Sequence, residues 1–424
     1  MRFPLIGAHA VLAWLLPVSV TACASPAARP AVAASPAAAT MRSTAIPTTL
    51  ALRGEALAEA KLRLQQGDAA LRPALDKLVE DADKALRAPL VAVTQKSTVL
   101  PPSGDKHDYF SLSPYWWPDS TKPNGLPYVR RDGVTNPESK RDLDQPRVAR
   151  LGSTLQTLAL AYYFTGEERY ARRAAEQLRA WFLDPATRMN PHLRYAQLVR
   201  GIDRERGSGI IDTRWFIESV DASRLIHGST HWTDADDASL RQWFAQYLAW
   251  LVKSPNGIDE SDAPNNHGSW YAAQVVTYAL FTGDTATARH WLGTIPARIG
   301  AQVTPAGEQP RENERTRSLH YSAFNVEALS RLAELGRHVG VDLWTYESPQ
   351  GGSLRRAMDL VAPALLEPAK WPGRQIDPVD PAETSIHLRR ALTVYGDAKY
   401  AALIARLPQP LARTDRSMLL YPGK

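Results

Sequence analysis

Residues 151–182 read LGSTLQTLALAYYFTGEERYARRAAEQLRAWF, and the architecture can be inferred from this stretch. Leu151, Leu155, Leu158 and Tyr162 are separated by steps of three and four, which puts their side chains on one face of a helix. Phe164-Thr165-Gly166 stops that helix, because glycine readily takes the left-handed conformation that closes a helix end. Glu167 to Phe182 starts another, with Tyr170, Ala174, Leu178 and Trp181 on one stripe. Its acidic first turn suits the positive end of the helix dipole. The phrase returns at Phe281-Thr282-Gly283-Asp284 and more loosely at Tyr395-Gly396-Asp397. Repeated helical hairpins over so long a chain predict a toroid or solenoid of paired helices. Strand-like alternation is scarce, which argues against a parallel sheet.

The composition bounds what such a scaffold binds. A chain of 424 residues, 44% hydrophobic and 22% charged, can bury a full core and is not disordered. A net charge of +6 and a pI near 9.3 favour an acidic partner: nucleic acid, an anionic membrane surface or an acidic polysaccharide. Nucleic acid is the weakest of these, since Lys and Arg are dispersed and no finger, basic helix or RNA-stacking signature occurs. Twelve Trp and fifteen Tyr lean toward sugar, whose apolar ring faces stack on aromatics.

The N-terminus reads as an export signal, with Arg2 as its positive start and an apolar run from Val11 to Val20 that is too short to span a membrane. Val20-Thr21-Ala22-Cys23 resembles the lipobox of bacterial lipoproteins, in which the cysteine is lipidated. Cys23 is the sole cysteine, which excludes an internal disulfide and a thiolate metal cluster. Residues 24–49 are an Ala/Pro/Ser-rich tether that cannot form a core. The expected organisation is therefore a signal with lipobox over 1–23, a tether over 24–49 and a catalytic domain over 50–424. The protein is expected in the periplasm or on the outer membrane of a Gram-negative bacterium, touching membrane only through its lipid.

Two stretches break the helical grammar, and such places on a helical scaffold carry chemistry. The first runs from Lys106 to Gly133 and contains Tyr109, Trp116, Trp117, Tyr128, Arg130 and Arg131 among Pro and Gly. A groove wall for an anionic sugar chain needs aromatic faces for stacking and cations for carboxylates; the plain alternative is a Trp pair plugging the end of the fold. The second is Asn265-Asn266-His267-Gly268-Ser269-Trp270-Tyr271, followed some fifty residues later by a segment in which Arg317 and Tyr321 stand four apart. On a helix that spacing shares a face, and a cation beside a phenol can depress its pKa and let it act as a base. His227 and His231 have an i,i+4 metal spacing, but Gly228-Ser229-Thr230 between them makes poor helix. Asp234, Asp236 and Asp237 after Thr233 read as an acidic helix start. Glu308, Glu312 and Glu314 offer carboxylates for glycoside hydrolysis.

From about Lys106 to Trp371 the chain resembles the alginate lyase superfamily of α/α-toroid polysaccharide lyases. The resemblance is carried by Tyr115-Trp116-Trp117-Pro118-Asp119, by Pro127-Tyr128-Val129-Arg130-Arg131-Asp132-Gly133, and by Thr187-Arg188-Met189-Asn190-Pro191 with Tyr195-Ala196-Gln197. The Asn265–Tyr271 segment and an Arg315 six residues before Tyr321 complete it. It implies an all-α toroid, and cleavage of a polyuronate, alginate or glucuronan, by β-elimination without metal or cofactor. It further implies that Asn266, His267 and Arg315 neutralise the substrate carboxylate while Tyr321 shuttles the proton, with Gln197 and Asn265 among the substrate contacts. Better-known members place the arginine seven before the tyrosine, where this chain has Glu314, so either Arg315 or Arg317 fills the role. Two other readings remain: a glycoside hydrolase on a toroid, and a glycan-binding lipoprotein without catalysis. The sequence is silent on oligomeric state.

Overall fold

The structure, a computed structural model, describes residues 45–423; the signal, Cys23 and residues 24–44 of the tether lie outside the described residues. The chain forms helices α1 (Gly54–Gln65), α2 (Arg72–Arg87), α3 (Asp144–Thr165), α4 (Glu168–Leu178), α5 (Phe216–Leu225), α6 (Asp234–Lys253) and α7 (Pro255–Ser261). It continues with α8 (Asn266–Thr282), α9 (Thr285–Gln302), α10 (Pro310–Asn313), α11 (Ser318–Arg337), α12 (Leu354–Leu366), α13 (Pro381–Tyr395) and α14 (Ala398–Ile404). The repeated phrase marks the hairpins α3/α4, α8/α9 and α13/α14. Gly166, Gly283 and Gly396 each close the first helix at φ of 75°, 85° and 64°, where a side chain would clash with its own backbone. The acids that follow act mainly as caps, since Asp284 and Asp397 accept the N–H groups of Thr287 and Lys399.

Burial sorts the helices into two layers. Helices α3, α5, α8 and α11 pack side by side in that order. They are apolar on most faces, and α8 buries every residue from Gly268 to Ala279. Helix α9 instead hides a single stripe, Ala288, Leu292, Ile295 and Ile299, and backs onto α8. Helices α4 and α12 stand in the same relation to α3 and α11. The result is an α/α toroid, an inner ring of helices sheathed by an outer one. Thr233 and Asp236 form a capping box at the start of α6, while His227 and His231 fall in the turn before it.

Two features position the rest. The stretch 106–133 forms short strands instead of helix: β1 (Phe110–Leu112), β2 (Trp116–Trp117) and β3 (Val129–Arg130), with β4 (Tyr195–Leu198) further on. β1 lies parallel to β4; β2 and β3 are antiparallel, with Trp116 opposite Arg130 and Trp117 opposite Val129. At the other feature the chain leading into α1 is clamped. Buried Asp221 of α5 accepts the N–H groups of Leu50, Ala51 and Leu52 at 2.6, 3.0 and 2.7 Å, and His338 Nε2 donates to the Leu50 carbonyl at 2.9 Å. Burial pushes the Asp221 carboxyl up to about 6.

Candidate active site

A groove of about 630 Å³ is bounded by the β2–β3 hairpin, by residues of the 206–218 segment and by the starts of α8 and α11. That size suits a ligand site. Asn265 is the N-cap of α8, its Oδ1 accepting the His267 N–H at 3.2 Å, so its side chain sets the helix start as well as lining the groove. A Cβ on Gly268 would stand 2.2 Å from the Ala263 carbonyl oxygen and 2.3 Å from Arg298 Nη1. Only glycine lets Arg298 lie there, donating to the carbonyls of Ala263 and Ser261 at 2.8 and 2.9 Å. The turn so tied brings Glu260, at the end of α7, against His267, whose Nδ1 lies 2.7 Å from Glu260 Oε1. Next to it Asn266 is fully buried, its backbone N–H and Nδ2 both donating to Glu312 at 2.7 Å while its Oδ1 has no partner.

From the facing side comes α11. Tyr321 sits one turn in and donates to the Tyr115 hydroxyl at 2.7 Å. The Arg315 guanidinium lies 3.7 Å over the Tyr321 ring and is held from behind by Asp132, with Nη2 to Oδ1 at 2.7 Å and Nε to Oδ1 at 3.0 Å. Asn266, His267, Arg315 and Tyr321 thus share one groove. Arg317 does not share a helix face with Tyr321 as expected. It precedes the helix as its N-cap residue, with φ −120°, and pairs with Asp377 at 3.2 Å away from the groove lining.

The aromatic loop is also corrected in part. Trp116 and Arg130 line the groove, but Trp117 and Arg131 do not, because successive strand residues point to opposite faces. Trp117 instead donates its Nε1 to the Val134 carbonyl at 2.8 Å, with Arg131 stacked 5.4 Å over its ring. Tyr109 is wholly buried and donates to Asp212 at 3.0 Å, so it supports the wall from behind. Tyr128 sits in a separate small recess, its hydroxyl on Glu138 at 2.8 Å. Gln197 does line the groove, at a φ of 49° that non-glycine residues rarely adopt; it is held there by Nε2 to Asp212 at 2.8 Å and by its N–H to Ser111 Oγ at 2.8 Å.

The family model for alginate lyase matches residues 92–371. This chain belongs to the alginate lyase family. An alginate lyase from Bacteroides ovatus is 37% identical, the alignment covering 89% of this chain and 99% of that one at a TM-score of 0.84. Alginate lyase A1-III from Sphingomonas species A1 shares the fold at 17% identity, covering 86% of this chain and 94% of that one at a TM-score of 0.57. A variant of A1-III complexed with a tetrasaccharide is 18% identical, covering 89% and 97% of the two chains at a TM-score of 0.57. No curated protein matches.

As a polysaccharide lyase the chain has a groove with a positive bias: six Lys and Arg line it against four Asp and Glu. Each of those carboxylates is already engaged. Asp212 accepts from Tyr109, Ser111 and Gln197; Glu218 and Glu327 hold Arg331; Glu383 meets His320 Nδ1 at 3.5 Å. Glu308 and Glu314, weighed as hydrolytic carboxylates, are exposed and away from the groove, and Glu312 is buried on Asn266. Burial would lower the His267 pKa, but the charge and hydrogen bond of Glu260 outweigh it and raise it above the ordinary histidine value. At Tyr321 the expected depression does not occur. Burial pushes the phenol well up, Tyr115 adds to this, and the Arg315 charge opposes it without prevailing.

Sequence reasoning missed the partners in this lyase: Tyr115, Glu260, Asp132 and the aromatic floor of Trp215, Trp270 and Phe324. Tyr115 opens the Tyr-Trp-Trp-Pro-Asp motif itself and could have been singled out with its neighbours. Glu260 and Asp132 carry no local signal, since each gains its role from a residue that the fold brings to it.

Proposed function

We propose that this lyase cleaves a 1,4-linked polyuronate, alginate first and glucuronan next, by β-elimination. One observation carries the reading: a carboxylate-held histidine and a tyrosine hydroxyl face the same groove as Asn266 and Arg315. With Nδ1–H given to Glu260, the neutral ring leaves Nε2 free to accept the C5 proton of a bound uronate. Charge then moves onto the substrate carboxylate, where the Arg315 guanidinium and the Asn266 amide stabilise it. The C4–O4 bond breaks, Tyr321 gives its proton to O4, and a C4–C5 double bond remains on the new non-reducing end. The cycle closes when His267 releases the C5 proton to water and the Tyr321 phenolate takes one back from water, directly or through the neighbouring Tyr115 hydroxyl. The raised phenol pKa suits Tyr321 as proton donor, and His267 is taken as the base because Glu260 holds its Nδ1 and leaves Nε2 to the substrate.

The test is incubation with a panel of polyuronates while following the ultraviolet absorbance of the new double bond. Reducing ends released without that absorbance would point to hydrolysis, and no release from any polymer to a binding role. We also propose that Cys23 carries lipid and tethers the enzyme to the outer membrane, on the strength of the Val-Thr-Ala-Cys pattern. Cys23→Ser should abolish membrane retention in high salt.

A further inference from the structure

Arg214 lies on the floor of the groove with no acidic partner. It forms no ion pair among the described residues, and its one hydrogen bond runs from Nη1 to the Ile211 carbonyl at 3.3 Å. Asp212 and Glu218, the nearest carboxylates acting on it, are taken by Tyr109, Ser111 and Gln197 and by Arg331. Aromatic rings cage the guanidinium: Trp215 at 4.9 Å, Phe324 at 5.1 Å and Trp270 at 6.0 Å. Lys140 shares this part of the lining, donates only to Gln145 at 2.6 Å and has no ion pair among the described residues. Lys140 is exposed, and the Arg214 charge acts to lower its pKa.

A half-buried charge without a counter-ion costs folding free energy. The arrangement makes sense where a ligand brings the missing anion. Of the other groove cations, Arg315 and Arg130 are paired with Asp132 and Arg331 with Glu218 and Glu327, while Arg206 lies over the Trp116 ring and donates to the Ser113 hydroxyl at 2.8 Å. We propose that Arg214, with Lys140 lining the same groove, binds the carboxylate of a uronate unit next to the one being cleaved. This rests on the polyuronate reading above. Every unit of such a polymer carries one carboxylate, and the set of Asn266, His267 and Arg315 meets only the reacting one. The aromatic cage holds the planar guanidinium in place, so its paired N–H groups are preorganised for a carboxylate. Its rings also offer faces on which the sugar can lie.

The experiment compares Arg214→Met and Arg214→Lys with the parent in polyuronate turnover and thermal unfolding. It also measures calorimetric binding of a saturated mannuronate tetramer in a Tyr321→Phe background, with and without Arg214→Met. Loss of one charge-assisted contact should raise KM and the tetramer Kd about ten- to a hundredfold, with kcat falling by far less. Arg214→Lys should recover part of the affinity. The Arg214→Met protein should unfold at the same temperature or higher, because the uncompensated charge is gone. Unchanged KM and Kd, or a lowered unfolding temperature with affinity intact, would make Arg214 a structural residue and overturn the inference. If the parent itself cleaves no polyuronate, the lyase reading falls and takes this inference with it. If the parent cleaves and binds but Arg214→Met does so equally, this inference alone falls.

Discussion

An acid catalyst must hold its proton at the working pH, and burial secures that at Tyr321. Tyr321→Phe keeps the ring under Arg315 and removes only the hydroxyl, so the fold should persist while kcat drops by roughly 10²–10⁴-fold, the usual effect of losing one general acid. Tyr115→Phe should cost less, because Tyr321 keeps its own proton. A folded Tyr321→Phe protein working at the parent rate would remove the residue from the mechanism. As the proposed base, His267 should set the acid limb of the pH profile. As a base it must be neutral, so the rate rises as pH climbs through its pKa, which Glu260 holds above the ordinary histidine value. Glu260→Gln preserves an acceptor for Nδ1 but removes the charge, and the limb in kcat/KM should move to lower pH. A rate that instead climbs only where phenols ionise would give the base role to Tyr321. The two arginines separate cleanly. Arg315→Ala should raise the barrier by about 2.7–4 kcal/mol if it acts as an oxyanion-type donor, whereas Arg317→Ala, removing a pair with Asp377 away from the groove, should leave turnover near the parent's.

At the level of elements, the start of α8 concentrates constraint. Gly268→Ala would drive a methyl into the Ala263 carbonyl and the Arg298 guanidinium. About 1–3 kcal/mol of stability should be lost to overpacking, and turnover should fall as well, since the same turn aims His267. Loss of stability with kcat intact would show that the turn does not position the histidine. The helical hairpins were legible because their signals are local: three- and four-residue steps, a left-handed glycine and a capping acid all fall within about twenty residues. The Asn265–Tyr271 segment stood out for the same reason, as polar residues before a helix that is otherwise apolar. The β2–β3 hairpin was legible only as a loop rich in aromatics and cations. Which of its residues face the groove depends on strand parity, and a two-residue strand offers no alternation from which to read it. The Tyr321 pKa was misjudged for a related reason. Spacing can place a cation beside a phenol, but it is outweighed by burial in the surrounding wall and by Tyr115, 206 residues away in sequence. Asp132 and Arg315, 183 residues apart, are equally invisible as a pair before folding.

Taken as a whole, the molecule separates two chambers by charge. Beside the groove lies a second cavity of about 540 Å³ that shares Trp215, Glu218, Phe324, Glu327, Arg331 and Glu383 with it. Four Lys and Arg line that cavity against five Asp and Glu, so the positive bias belongs to the groove alone. A polyanion drawn by that bias should bind more weakly as salt screens it. KM for a polyuronate should therefore rise steeply with ionic strength, while kcat, set by groups in contact with the reacting unit, should change little. An equal fall in both would locate the salt effect in the chemistry instead. The clamp at Asp221 bears on a different matter, the transmission of force. Three backbone N–H groups of consecutive residues grip one carboxylate, and a histidine holds the carbonyl between them. Tension arriving along the chain before α1 would load these bonds before it reached α1. With the proposed lipid on Cys23, drag on a long polymer in the groove would be met at this clamp before it could prise the inner helices apart.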